Sequence, residues 1–297
     1  MLLVVLAVVT ITFFVLRIST GDPARLVNPP GTPEDVFKQT QQRLGTDQSL
    51  LAQYRDYLGD VAQGDLGTSF RGTEPVGDAV LQALPNTIAL AGIAVAASVV
   101  FAVGLGMLAA LRANTWIDRG VLGYVALAQA TPSFWLAVVL VLVFALNLGW
   151  FPALDRGGPS SFVLPVATLV VLLTPILVRT VRQSVIETLS DDYIRAARAR
   201  GIAERRVLFV HTLKVASLPL VTLIGLQTGF LLAGAVVVEA IFNWPGIGKL
   251  ILDAVASRDF PMIQGGVLVA AVAFVVVNFL VDLVYTVLDP RIRLGSR

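Results

Sequence analysis

The sequence predicts an all-α integral membrane protein with six transmembrane helices. Its mean hydropathy is +0.80 and only 14% of its residues are charged, whereas soluble domains carry about 25%. Six apolar stretches approach or reach the roughly 17 to 25 residues that a helix needs to cross about 30 Å of hydrocarbon. These stretches place the spans at residues 1–18, 85–111, 120–150, 160–183, 215–240 and 262–287.

The first stretch is short and N-terminal, so a secretory signal peptide is the alternative to a membrane span. A signal peptide has a basic region before its apolar core and small residues at a cleavage site after it. Neither pattern surrounds residues 1–18. We therefore expect a retained first helix.

Lys and Arg residues are concentrated on one side of the predicted membrane. Residues 179–214 hold eight of them, whereas residues 148–160 hold only Arg156. Short loops rich in Lys and Arg remain in the cytoplasm. The distribution therefore predicts that both termini face the cytoplasm. The same count places residues 187–214 in the cytoplasm and the loop 241–261 outside. The long loop at 19–84 is left out of the count, because long loops translocate largely regardless of charge, and the alternation of the spans places it outside.

The long outer loop at 19–84 contains a helical pattern. In the stretch SLLAQYRDYL, the apolar residues Leu50, Leu51, Tyr54 and Leu58 share one face of a helix. Turn-forming residues precede this stretch and glycines follow it. We expect a small extracytoplasmic cap in this loop.

Proline residues interrupt several of the predicted spans. Thr131-Pro132-Ser133 lies within the third span, Pro165 and Pro175 bracket the fourth, and Pro219 lies early in the fifth. A single proline is most simply an ordinary kink, but several breaks together favour an irregular interior that suits a conduit. Polar residues inside the spans are candidates for the pathway, with helix-to-helix hydrogen bonding as the favoured alternative. They are Gln129, Thr131, Ser133, Gln227, Thr228 and Asn278.

The basic cytoplasmic segment reads as a helix, a glycine break and a second helix. Ser190 is a candidate N-cap, and Asp191 and Asp192 favour the first turn through the helix dipole. Gly201 supplies a left-handed stop, and a second helix begins near Ala203. The alanines between these points leave a smooth surface that another protein could approach. The alternative is that the arginines only set orientation and contact lipid headgroups, and the residues alone leave the two interpretations open.

The chain offers no recognisable catalytic, metal or nucleotide site. It contains no Cys and one His, which rules out a zinc site of the usual N/S type. The stretch WPGIGK suggests a phosphate loop, but Asn243 stands where that loop needs its first Gly, and Leu250 follows Lys249. We therefore predict a protein that is not an enzyme and carries no cofactor of its own.

The stretch YIRAARARG, residues 193–201, followed by Leu218-Pro219, resembles the EAA loop of ABC importer permeases. In that family the loop is a coupling helix that docks on a cytoplasmic ATPase subunit, so we name residues 187–214 the coupling segment. Arg195 stands where the general pattern has Glu, so we do not expect the salt bridge that this Glu usually forms. Arginine at this position resembles the peptide-transporting subgroup. The residues that the resemblance assigns to ATPase coupling are Asp192, Tyr193, Ile194, Arg195, Ala196, Ala197, Arg198, Ala199 and Gly201.

Other stretches are similar to the first of the two permease subunits in dipeptide and oligopeptide importers. They are Gly21-Asp22-Pro23, residues 51–70, residues 238–248 and LDPRIR at 288–293. The resemblance covers nearly the whole chain in order. It implies a peptide importer, with nickel, glutathione or heme as alternative substrates.

The resemblance also implies partners and a location. The expected partners are a second permease, two ATPase subunits or domains that carry ATP and Mg, and an extracytoplasmic substrate-binding lipoprotein. The expected location is the bacterial inner membrane. Near the fifth span we predict a short helix at residues 247–255 and an outer gate or binding-protein contact. The residues assigned to that contact are Glu239, Asn243, Trp244, Pro245 and Gly246.

Two other classes of protein compete with this interpretation. A secondary transporter or channel that works without ATP places ionisable residues inside the membrane. In the predicted spans almost none occur, since Glu239 and Asp282 lie near helix ends. An assembly scaffold is compatible with the composition but leaves the outer loop and the broken helices without a use.

Overall fold

The computed structural model describes residues 2–20, 23–28, 31–72, 74–154 and 157–288, and these are helical almost throughout. Within these ranges the β interactions amount to one isolated bridge between Thr68 and Pro75. The helices from the N-terminus to the third span are α1 (Leu2–Thr20), α2 (Ala24–Val27), α3 (Glu34–Leu44), α4 (Leu50–Gln63), α5 (Val76–Leu111), α6 (Trp116–Ala130) and α7 (Ser133–Leu140), which continues as a π-helix (Val141–Asn147). A 3₁₀ turn (Pro159–Phe162) then leads into α8 (Val163–Ser190), followed by α9 (Asp192–Ala199), α10 (Glu204–Arg206), a π-helix (Val207–Thr212), α11 (Leu213–Ile241), α12 (Ile247–Ser257) and α13 (Phe260–Leu288).

Six apolar helical regions correspond in position to the six predicted spans. Three are long and apolar enough to cross a membrane by themselves, namely Val76–Leu111, Pro159–Ser190 and Phe260–Val281. Two more are bent pairs, Trp116–Ala130 with Ser133–Asn147 at 103° and Glu204–Ser217 with Pro219–Gln227 at 48°. The sixth, Leu3–Ile18, is shorter. The helical membrane fold is thus confirmed, and the count of six spans stays a prediction.

The sharp bend in the third region occurs at Thr131-Pro132, where the sequence predicts an interruption. Both residues have extended ψ angles, 119° at Thr131 and 139° at Pro132. Pro132 has no N–H to continue the helix, and its ring disfavours the helical conformation at the preceding residue. Pro175, in contrast, lies inside α8, which continues through it.

By internal contacts the chain divides into two compact units, and the first comprises Met1–Thr87 with Pro245–Val275. Here α4 packs on α1 through aromatic rings. Phe13 is fully buried, and its ring centroid lies 5.2 Å from that of Tyr54 and 5.4 Å from that of Tyr57. Leu50 and Leu51 are exposed. The predicted helix in this loop therefore exists, and Tyr54 of its apolar face contacts α1 together with Tyr57.

A buried carboxylate fastens the cap to the start of α13 within the same unit. Asp259 is 4% exposed. It accepts hydrogen bonds from the Phe70 backbone N–H at 3.2 Å and from the Ser69 hydroxyl. Val76, Val80 and other apolar residues of α5, α12 and α13 form the core of this unit.

The second unit comprises Ile88–Trp244 with Val276–Arg297, and its main core lies where α5, α6, α8 and α11 meet. Val125, Val178 and Val185 are fully buried in this core. The helices α5 and α8 approach closely, since a Cβ added at Gly106 would lie 2.7 Å from Val181 Cβ. One end of this core leads directly into the coupling segment.

Candidate coupling segment and outer residues

The central helix of the coupling segment is α9, Asp192–Ala199. Asp191 is its N-cap residue, with an extended ψ of 145° and without a side-chain capping bond. Ser190 belongs to α8, and its hydroxyl donates to the Glu187 carbonyl at 2.6 Å. The predicted N-cap at Ser190 was therefore wrong by one residue, because α8 continues further than its apolar stretch.

The helix α9 has an inner and an outer face. Ile194 is fully buried and Ala197 is 9% exposed, and both pack against Val207, with Leu189 and Ile202 at the edge. Ile194 and Ala197 therefore hold the segment together and do not face outward. The predicted coupling residues that are exposed on α9 are Asp192, Tyr193, Arg195, Ala196, Arg198 and Ala199.

The elbow after α9 has the left-handed conformation that the sequence predicts. Gly201 has φ +76°, and its N–H donates to the Arg198 carbonyl at 2.9 Å. Across the elbow, the guanidinium of Arg198 donates two hydrogen bonds to the Glu204 carboxylate, at 2.6 and 3.1 Å. No helical spacing rule reveals this pair in the sequence, because six residues and a turn separate its members. The pair closes α9 onto the helix that follows.

Charges on α9 have local partners. Arg195 forms an exposed ion pair with Asp192 at 3.3 Å. The hydrogen bonds with Glu204 raise the pKa of the Arg198 guanidinium. Partial burial raises the pKa of the Tyr193 phenol, and Asp191 acts in the same direction. At neutral pH the outer face therefore presents a neutral phenol, paired arginines and small alanines.

A second polar contact near the coupling segment was absent from the predictions. Asp118, in the first turn of α6, is 3% exposed. It accepts hydrogen bonds from Nε and an η-nitrogen of Arg182 on α8, at 2.6 and 2.7 Å. Because 64 residues separate the partners, no local spacing rule predicts the contact. The available signal in the sequence is that Asp118 is a charged residue at the edge of an apolar run.

The residues predicted for the outer contact are mostly buried in the second unit. Glu239 is fully buried, and its carbonyl accepts from the Trp244 N–H at 2.8 Å. Trp244 is 3% exposed and meets Phe162 edge-to-face, with ring centroids 4.5 Å apart. Asn243 is exposed and left-handed, with φ 50°. Of the three predicted residues in this unit, Asn243 is the one at the surface.

The loop that begins with Asn243 and Trp244 continues into the first unit at Pro245. Pro245 is exposed and Gly246 is buried, and the Asn86 side-chain amide donates to the Pro245 carbonyl at 2.9 Å. The helix α12 forms at Ile247–Ser257, as predicted. A polar cleft of about 360 Å³ lies between α5 and α12. Its charged lining residues are Glu74, Lys249 and Asp253.

The predicted pathway residues do not form one cluster in the described part of the chain. Gln129 is exposed, and the Thr131 hydroxyl donates to the Leu127 carbonyl at 2.8 Å. Gln227 lines a cavity of only about 10 Å³ together with Ser98. Ser133 and Asn278 are half-buried. Several predicted positions lie outside the described residues, namely the side chains of Thr228 and Asp282, and the stretches Gly21-Asp22 and 289–293.

Comparison with protein families covers nearly the whole chain. The family described as "Binding-protein-dependent transport system inner membrane component" matches residues 102–294. A second description, "Binding-prot-dependent transport system membrane comp, N-term", matches residues 1–91.

Individual relatives are similar over nearly their full length. The glutathione transport system permease protein GsiC of Escherichia coli K12 is 37% identical over 283 residues, which are 95% of this chain and 92% of that protein. The protein of the same name from Salmonella typhi is 37% identical over 288 residues, or 97% of this chain and 94% of that protein.

Two solved structures share the fold at low sequence identity. The inward-facing MetNI methionine ABC transporter superposes with a TM-score of 0.60 at 17% identity, covering 71% of this chain and 96% of that chain. An amino acid ABC transporter solved with histidines gives a TM-score of 0.52 at 13% identity, covering 72% and 94%.

Proposed function

Because this chain belongs to the family of binding-protein-dependent transport system inner membrane components, and is the permease of an ABC importer, we propose that its coupling segment docks on a cytoplasmic ATPase. The chain then forms half of a translocation path, and a second permease forms the other half. ATP and Mg bind to the ATPase partners. Both termini and the coupling segment face the cytoplasm.

The shape of the coupling segment supports this proposal. Its inner face is packed by Ile194, Ala197 and Val207, so α9 is held in position before any partner arrives. A preformed helix loses less conformational entropy on docking than a flexible loop would. A docking helix also needs a free outer face, and Ala196 with Tyr193 provides a small and an aromatic contact there.

The packing around Leu189 supports transmission of motion from this helix. Leu189, near the end of α8, packs on the core of the second unit. It also packs on Ile194, Ala197 and Val207, which we call the inner cluster of the coupling segment. Packed elements move together more readily than they deform. A displacement of α9 by the ATPase is therefore passed to α8 and α11, which alternating access requires.

For the substrate we propose short peptides. The relatives named above are glutathione permeases, and glutathione is itself a tripeptide. This favours a peptide over nickel or heme, and glutathione is the second candidate. The substrate is delivered by an extracytoplasmic binding protein to the outer side of the bacterial inner membrane. In the first unit, the exposed Pro245 and the cleft between α5 and α12 are the surfaces that we propose it contacts. The exposed Asn243 is a separate candidate contact in the second unit.

Purification and reconstitution test the proposal. Affinity purification of the tagged chain from its native membrane should bring down a second permease and ATPase subunits. In proteoliposomes, the loaded binding protein should stimulate ATP hydrolysis, and labelled tri-alanine and glutathione should be taken up in an ATP-dependent way. A transport-active assembly of this chain that contains no ATPase would refute the docking proposal. Uptake of nickel or heme without uptake of either peptide would refute the substrate class.

A further inference from the structure

The buried pair of Asp118 and Arg182 joins the start of α6 directly to α8. Both carboxylate oxygens of Asp118 are engaged by the guanidinium of Arg182. The second oxygen also accepts the backbone N–H of Asn114 at 2.9 Å. Asn114 is left-handed, with φ 64°, so the same carboxylate shapes the turn between α5 and α6 and fastens it to α8.

A bidentate pair resists motion differently from apolar packing. The two bonds of 2.6 and 2.7 Å weaken steeply with a change of distance or angle, and their planar fork sets a direction. Apolar contacts such as those of Val181 are non-directional. Because the pair is buried, separating it leaves an uncompensated charge in the interior. The turn must therefore follow any shift of α8 at this point.

Arg182 lies on the part of α8 that leads to the coupling segment. Eight residues separate it from Ser190, about 12 Å at the helical rise, and α8 is continuous over this distance. Leu189 continues the connection into the inner cluster of the coupling segment. Contacts thus connect α9 through α8 and Arg182 to Asp118 and the turn between α5 and α6.

We propose that Asp118 and Arg182 are positioning residues that make α5 and α6 move with the coupling segment. The inference rests on the proposed docking of α9 on an ATPase and adds a second route by which its motion reaches the spans. Docking itself does not require the pair, because its members lie outside the exposed face of α9. Loss of the pair therefore separates ATP hydrolysis from transport without removing the ATPase.

The test uses the whole complex reconstituted in proteoliposomes with its binding protein, and it measures ATP hydrolysis and uptake of labelled tri-alanine and glutathione. Asp118→Asn removes the charge and keeps the shape. Asp60→Asn is the matched control, since it makes the same change at an exposed position on α4, outside the coupling segment. The double variant Asp118→Arg with Arg182→Asp restores a pair in reverse. Spin labels at positions 115 and 203, both exposed and outside the docking face of α9, report the distance between the turn and the coupling segment with and without ATP.

We expect Asp118→Asn to bind the ATPase and hydrolyse ATP within twofold of the native complex while uptake per ATP falls at least tenfold. The distance between the labels should broaden in this variant and stay narrow in the native and control complexes. The reversed pair should recover at least a third of the lost uptake. Unchanged uptake per ATP in Asp118→Asn, or an unchanged distance distribution, overturns the proposal. A failure of all pair variants to assemble also overturns the proposal, because the pair is then only structural. A native complex that contains no ATPase refutes the docking proposal instead.

Discussion

Replacing Ala196 or Ala197 by Glu distinguishes the role of the exposed face of α9 from that of its buried face. The same change is made at neighbouring positions, one exposed and one buried. Ala196 is exposed, whereas Ala197 is 9% exposed and packs beside Ile194 and Val207. Glu is a good helix former, so neither change breaks the helix by propensity. We expect Ala196→Glu to abolish docking with the segment intact, and Ala197→Glu to open the segment itself.

The magnitudes follow from burial. Full burial of an Ile or Val side chain is worth about 1.5 to 3 kcal/mol, so Ile194 and Val207 together hold the inner cluster with about 3 to 6 kcal/mol. An unpaired buried carboxylate costs several kcal/mol, so Ala197→Glu cancels most of this stabilisation. At Ala196 the change alters the stability of the free segment by about 0.5 kcal/mol or less. In a docked interface an unpaired carboxylate costing about 3 kcal/mol weakens binding roughly 100-fold.

Two measurements on membranes report these effects. Retention of the ATPase during affinity purification reports docking, and limited trypsin cleavage at Arg198 and Arg205 reports whether the segment stays folded. Ala196→Glu should lose the ATPase and keep native resistance to trypsin, whereas Ala197→Glu should lose both. Ala203→Glu is the matched control, an exposed alanine outside α9, and should retain both. Normal ATPase retention by Ala196→Glu would show that this face is not the docking surface.

Three further outcomes are expected. Single cysteines introduced into this Cys-free chain should react with an impermeant thiol reagent in intact cells at positions 54 and 249 and not at position 198, and external labelling at Arg198 would contradict the orientation. Gly201→Val should strain the elbow and reduce ATPase retention, because a β-branched residue is an outlier at φ +76°. Gly201→Asn should be largely tolerated, because Asn adopts the left-handed conformation more readily. Equal effects of the two variants would remove the conformational explanation. Trp244→Ala should destabilise the purified complex by about 3 to 5 kcal/mol, because the ring is buried. Trp244→Phe should cause a much smaller loss of stability. Unchanged thermal unfolding of Trp244→Ala would show that the ring does not support the core.

Local features of the fold were predictable because their causes lie within a few residues. The bend at Thr131-Pro132 follows from a missing amide hydrogen and a steric clash with the preceding residue. The left-handed conformation of Gly201 follows from the cost of a Cβ atom there. The positions of the apolar helices follow from the hydrocarbon thickness that such helices must cross. The helix α8 continues to Ser190, beyond the predicted span at 160–183, because its last turns are polar and no apolar pattern marks them.

The helix α9 shows where prediction from the residues ended. Its alanines and its glycine elbow were visible in the sequence, but the direction of each alanine was not. In an alanine-rich helix the hydrophobic contrast between faces is small, so periodicity does not orient it. The partners Val207 and Leu189 decided that Ala197 faces inward and Ala196 outward.

The sequence by itself therefore determined the helical membrane class, the order of the helices and the position of the glycine elbow at Gly201, because hydrophobicity and turn chemistry are local properties. The tertiary structure decided which side chains meet. It buried Trp244, which the sequence placed at the outer contact, against Phe162, and it joined Asp118 to Arg182 across 64 residues. Contacts of this kind depend on how distant helices pack, and that packing is set by the sum of many weak and non-directional interactions.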